Sequence, residues 1–157
     1  MKRLEVVGVR VEVPSNQPIV LLREQGGERF LPIWIGAVEA TAIAFASGGV
    51  QPPRPLTHDL FRDVIIGLGA TLTAVELTEI KDGVFYAELL LTSASGEHRI
   101  SARPSDAIAL AVRTESPIFA SDELLAEAGI EIAEQAEDEV EKFREFLDQV
   151  SPDDFLG

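Results

Sequence analysis

Val7, Val9, Val11 and Val13 share one alternating face near the start of the chain, and Gly8, Arg10 and Glu12 share the other. A period of two predicts a strand over Leu4 to Val13. Pro14-Ser15-Asn16-Gln17-Pro18 ends it as a turn, and Ile19 to Leu22 and Arg29 to Ile35 follow as strands joined through Gln25-Gly26-Gly27. Neighbouring strands on short turns predict an antiparallel meander. At Gly36 the period lengthens: Ala37 to Ser47 reads as a small-residue helix stopped by Gly48-Gly49, and Val50-Gln51-Pro52-Pro53-Arg54-Pro55 cannot continue it. A second helix is expected to start on Thr57 as N-cap, with Asp59 in its first turn. Its stripe of Leu60, Phe61, Val64, Ile65 and Leu68, ahead of Gly69, is expected to pack against the core.

Leu72 to Ile80, Gly83 to Thr92 and His98 to Ala102 form a second run of strands, with turns at Lys81-Asp82-Gly83 and between Ser93 and Gly96. Arg103-Pro104-Ser105-Asp106 then opens an oily helix that closes near Arg113, with Ser105 placed to cap it and Asp106 placed where the positive helix end favours an anion. Pro117 to Ala120 is short and extended, and Asp122 to Ala128 is a short helix ended by Gly129. Strands, helices, strands and helices in this order predict an α+β fold, a single domain with a largely antiparallel or mixed β-sheet packed against helices. The expected division is a domain over residues 1–132 and an acidic C-terminal helix and tail over 133–157. There Val140, Phe143, Leu147 and Val150 have helical spacing, and the segment is either a docked helix or an acidic appendage.

Charge sharpens this division. Of the net −14, residues 1–120 carry 14 acidic and 11 basic side chains, whereas residues 121–157 carry 13 and 2. The globular part is nearly neutral, so composition supplies no basic footprint for general nucleic-acid binding; a local arginine patch is the remaining route. The absence of cysteine excludes disulfides, thiolate ligands and cysteine nucleophiles. No apolar run is long enough for a signal peptide or membrane span, and a cytoplasmic protein without membrane partners is expected.

The candidate chemistry is scattered. Glu39 is the only ionisable side chain between Trp34 and Arg54, on an almost wholly apolar helix, and must either reach a surface or find a donor such as Arg54, Arg62 or Arg103. His58 opens a helix beside Asp59 and downstream of Arg54, where amide groups can receive a phosphate or the ring can serve as a cap. His98 reads as an ordinary strand histidine, and Trp34 and Phe45 as core or interface residues. Metal-assisted phosphodiester hydrolysis needs carboxylates for magnesium or manganese, an activated water and cations around the phosphate. Glu39, Asp59 and Asp106 suit the metal; His58, Arg54, Arg62 and Arg103 suit the other roles. Arg103 can clamp a phosphate or hold Glu39 or Asp106 in place. Gly67-Leu68-Gly69 is too short for a phosphate loop, Ser105 lacks a nucleophile elbow, and no organic cofactor is expected.

Arg103-Pro104-Ser105-Asp106-Ala107-Ile108-Ala109-Leu110-Ala111-Val112-Arg113 resembles the signature of the bifunctional nuclease domain family. Leu31-Pro32-Ile33-Trp34-Ile35-Gly36 with Glu39-Ala40, and Arg54-Pro55-Leu56-Thr57-His58-Asp59-Leu60-Phe61, agree with it. The resemblance runs from Leu4 to Gly129 and implies a nuclease acting on DNA and RNA, with Glu39, His58, Asp59 and Asp106 as catalytic candidates. The acidic tail and the lack of a compact catalytic motif support a second reading, a non-enzymatic protein-binding or regulatory domain. A third is an anionic ligand at the Thr57 or Ser105 helix start. A homodimer or larger homo-oligomer is expected from Trp34, Phe61, the small-residue helix and the Phe143/Leu147 stripe.

Overall fold

The computed structural model describes residues 1–131. The expected tail helix over 133–157, with its Val140 to Val150 stripe, lies outside them. Two antiparallel meanders account for six of the strands. β1 (Lys2–Glu12), β2 (Gln17–Glu24) and β3 (Arg29–Trp34) form the first; β4 (Thr71–Lys81), β5 (Val84–Ser93) and β6 (Gly96–Ala102) form the second. The short strand β7 (Ile118–Ala120) joins them, parallel to β4 and antiparallel to β1. A two-residue strand β8 (Ile130–Glu131), which the sequence pattern does not announce, pairs with β3. The result is one mixed eight-stranded sheet in the order β6-β5-β4-β7-β1-β2-β3-β8.

Helices α1 (Ala37–Ser47), α2 (Thr57–Gly67), α3 (Pro104–Thr114) and α4 (Asp122–Ala128) pack on this sheet. The α+β fold with a mixed, largely antiparallel sheet against helices is therefore the one the two periodicities predict. α3 is central: it packs against α1, α2, β4 and β5, and Ala107, Ile108, Ala109, Leu110 and Ala111 are all buried. Burying this helix on nearly every side explains its uninterrupted apolar run.

Several local expectations need correcting. Val7 is exposed, because a β-bulge lies between Val6 and Gly8; the inward face is carried by Leu4 before it and by Val9 and Val11 after it. An extra residue in one strand shifts which side chains face inward, so strict alternation misassigned Val7, and Val13 lies exposed beyond the strand. On α2 the core-facing residues are His58, Asp59 and Ile65, whereas Leu60, Phe61, Val64 and Leu68 are exposed. Thr57 and Ser105 are not N-caps. The capping positions are Leu56 and Arg103, and Thr57 and Ser105 are the first and second residues of α2 and α3. Pro104 takes the first helical position of α3, where a missing N–H costs nothing.

Candidate functional site

α1, α2 and α3 each carry a carboxylate as their third residue: Glu39, Asp59 and Asp106. This position faces the unpaired amides of the first turn and the positive end of the helix dipole, which favours an anion. Asp59 shows the local bond directly, its Oδ2 accepting the Leu56 backbone N–H at 3.0 Å. That is the carboxylate half of a capping box.

Two of these helix starts meet through one guanidinium. Arg103 donates from Nη2 to Glu39 Oε1 at 2.7 Å and from Nε to Asp106 Oδ2 at 2.8 Å. The two carboxylates therefore sit side by side along one edge of a planar group. Asp106 continues the chain on its other oxygen, with His58 Nε2 at 2.9 Å from Oδ1. Four residues from three helix starts thus form one network, Glu39–Arg103–Asp106–His58. Gly36, the N-cap of α1, makes room for it: a β-carbon there would collide with Glu39 Oε2. Of the three arginines weighed as partners for Glu39, it is Arg103 that pairs with it.

The ionisation states follow. Burial pushes the Asp106 carboxyl up, but the hydrogen bonds and charge of Arg103 and His58 outweigh it and hold the carboxyl below the usual carboxylate range. The same two carboxylates hold Arg103 firmly protonated. An ionised carboxylate only accepts, so His58 donates from Nε2, and in the uncharged form of the ring Nδ1 is the acceptor. Nδ1 has no hydrogen-bond partner among the described residues. The Arg103 side chain is 65% exposed, which leaves its remaining N–H groups facing solvent.

Asp59 stands apart from this network. Its Oδ1 accepts from Arg113 Nε at 2.7 Å, in a pair whose side chains are only 12% and 4% exposed. Burial raises the Asp59 carboxyl, yet the Arg113 and Leu56 hydrogen bonds, with the charges of Arg113 and Arg62, leave it lowered. Arg113 also donates from Nη1 to Ala109 O at 2.9 Å. Asp106 and Arg113 are seven residues apart, two turns along one face of α3. His58 and Asp59, adjacent on α2, grip those two points in opposite directions. Arg113 is the ion-pair partner of Asp59 that sequence reasoning missed; the signal was its spacing from Asp106.

Arg62 pairs with Asp63 at 3.1 Å, and Arg54 is exposed on the proline-rich loop, outside these ion pairs. A cleft of about 500 Å³ lies on the Arg113 side, lined by Pro52, Pro53, Pro55, Asp59, Arg62 and Arg113 among others. The four-residue network lies outside it. Among the described residues, no three of the His, Asp and Glu side chains gather closely enough to hold a metal.

Residues 20–133 match the bifunctional nuclease domain. The chain belongs to the bifunctional nuclease domain family. It is 51% identical over 164 residues to a Mycobacterium tuberculosis protein described as uncharacterized, covering 99% of this chain and 98% of that one. It is also similar to plant members. Bifunctional nuclease 2 of Oryza sativa subsp. japonica is 31% identical over 134 residues, covering 82% of this chain and 41% of the rice protein. Bifunctional nuclease 2 of Arabidopsis thaliana is 29% identical over 126 residues, covering 76% of this chain and 38% of its own length. The chain thus spans about two fifths of these plant bifunctional nucleases. Among the described residues, no helix is long and apolar enough to cross a membrane.

Proposed function

We propose that this domain is a nuclease that hydrolyses phosphodiester bonds in DNA and RNA at the Glu39–Arg103–Asp106–His58 network. The observation that carries the reading is the His58–Asp106 pair. Its carboxylate fixes the tautomer and leaves Nδ1 unpartnered, the arrangement of a general base held in place by an acid. In this mechanism Nδ1 takes a proton from the attacking water, Asp106 stabilises the imidazolium that forms, and the ester P–O bond breaks as its leaving oxygen takes up a proton from solvent. The exposed N–H groups of Arg103 receive the non-bridging phosphate oxygens, where negative charge grows.

Glu39 and Asp106 also offer the hard oxygen donors that magnesium or manganese takes, on carboxylates that Arg103 bridges. These ions take hard oxygen ligands and are commonly held by one or two carboxylates, with waters and substrate phosphates completing the shell. Glu39 and Asp106 are the residues that would hold the ion, which would supply Lewis-acid polarisation of the phosphate. Asp59 belongs to the structural clamp with Arg113. Arg62, in the separate cleft on the Arg113 side, and the exposed Arg54 are the further cations proposed to contact phosphate. The names of the rice and Arabidopsis relatives, bifunctional nucleases, support this reading of the reaction.

The experiment is cleavage of labelled single-stranded DNA and RNA by wild-type protein, Glu39→Gln and Asp106→Asn, each with magnesium or manganese and checked for folding by circular dichroism. Cleavage by the wild type that falls at least 100-fold in both variants supports the nuclease. The mutual charge neutralisation within the network favours a second reading, a structural ion-pair hub in a protein-binding domain. That reading predicts no wild-type cleavage with either metal, and lowered stability in both variants.

A further inference from the structure

The cleft of about 500 Å³ beyond the Asp59–Arg113 pair is not used by the four-residue network. Arg113 is its ion-paired residue most withdrawn from water, with a side chain only 4% exposed. Nε is spent on Asp59 and Nη1 on Ala109 O. Nη2 bonds nothing among the described residues and is not closed off within the protein, so it opens onto the cleft that Arg113 lines. A nearly buried guanidinium with an unspent donor calls for an acceptor.

That acceptor is not a free anion. Asp59 neutralises Arg113, Asp63 neutralises Arg62, and Glu115 adds a further carboxylate, so the charged lining of the cleft sums to −1. A neutral group that accepts from Arg113 and donates to Glu115 suits both. Glu115 follows α3 with φ 53°, in the left-handed region where glycine is the unstrained choice. Glutamate at that position supplies an exposed acceptor two residues on from the Arg113 donor. Pro52, Pro53 and Pro55 add rigid apolar faces against which a planar ring can pack.

We propose that this cleft receives guanine, the base of a nucleotide flanking the scissile phosphate. Guanine is neutral and planar; its O6 and N7 accept from arginine, and its N1–H and N2–H₂ are adjacent donors that one carboxylate receives as a pair. Adenine, cytosine and thymine lack that adjacent pair of donors. Asp106 and Arg113 are seven residues apart on α3, a rise of about 10 Å, which spans a few nucleotides of a single strand. Arg62, more exposed than Arg113, stays with the phosphate of the bound strand. The proposal rests on the nuclease reading for the place of the base in the substrate, whereas binding of the base needs no cleavage.

Loss of Arg113 would leave Asp59 without its partner, so the test uses Glu115→Gln, a nearly isosteric change at an exposed position. Fluorescence anisotropy of the full-length protein in EDTA at low ionic strength compares four labelled thymidine oligonucleotides, carrying at the centre a deoxyguanosine, a deoxyinosine, a deoxyadenosine or no replacement. The wild type should bind the deoxyguanosine strand about 10-fold more tightly than the other three; deoxyinosine keeps O6, N7 and N1–H and lacks only the 2-amino group. In Glu115→Gln the preference should fall below about 2-fold. A carboxylate that merely repels phosphate would, once removed, strengthen binding to all four strands alike and leave the preference in place. A wild type that binds the four strands alike, or binds none, overturns the proposal, and so does a guanine preference that Glu115→Gln keeps. Repeating the series with magnesium or manganese in place of EDTA separates the two readings. Preference without cleavage removes the nuclease and leaves the base site standing, and cleavage without preference does the reverse.

Discussion

Arg113 and Asp59 show how much a single buried contact decides here. Both side chains are withdrawn from water and bonded at 2.7 Å, so removing either leaves a buried charge without its partner. Asp59→Ala and Arg113→Ala should each lower unfolding stability by about 3–5 kcal/mol, as read from urea denaturation. The exposed Arg23–Glu5 pair, by contrast, should contribute less than about 1 kcal/mol. The same contacts set the acid limb of stability. Asp59 and Asp106 are held below their ordinary range, so their contribution is complete above the unfolded carboxylate value near 4 and is lost as pH falls through the folded values. Urea midpoints measured from pH 6 down to pH 3 should fall in the wild type, and fall less steeply in Asp59→Asn.

At the scale of elements, the boundaries of α1 and α4 were legible because glycines and an apolar period bracket them. Ser121 caps α4 by accepting the Leu124 N–H at 3.1 Å, a signal that short polar residues give openly. α2 was legible as a helix but not in its orientation. Leu60, Phe61, Val64 and Leu68 form the stronger stripe, yet His58, Asp59 and Ile65 face α3 and the sheet, since two ion pairs anchor that side. Periodicity reports an apolar face without reporting what covers it. Phe61→Ser and Leu68→Ser should therefore each shift stability by no more than about 0.5 kcal/mol, whereas Ile65→Ala should cost about 2–5 kcal/mol. Thermal melts of the three variants separate the two cases. The bulge at Val7 was hidden for a related reason: one inserted residue leaves composition unchanged while reversing the faces.

Across the whole molecule, the site is assembled from residues 36 to 106. Glu39, His58, Arg103 and Asp106 were each legible as a polar residue where a helix opens. Arg103 was legible as one of three possible donors to Glu39, but which of the three pairs with it depends on how α1 packs on α3. The charge imbalance acts at this scale too. Residues 121–157, with 13 acidic and 2 basic side chains, should repel phosphate over distances that salt shortens. Deleting residues 133–157 should raise oligonucleotide affinity at low ionic strength, with the two binding curves converging near 0.15 M salt in fluorescence anisotropy.

The central claim is that His58, oriented by Asp106, moves the proton in phosphodiester hydrolysis, and imidazole rescue tests it most directly. In single-turnover cleavage of a labelled oligonucleotide, His58→Ala should lose about 10²–10⁴-fold in rate. Added imidazole should restore part of that loss in His58→Ala and none in Asp106→Asn. A folded His58→Ala protein that cleaves at the wild-type rate, or whose loss imidazole leaves unchanged, would contradict the account.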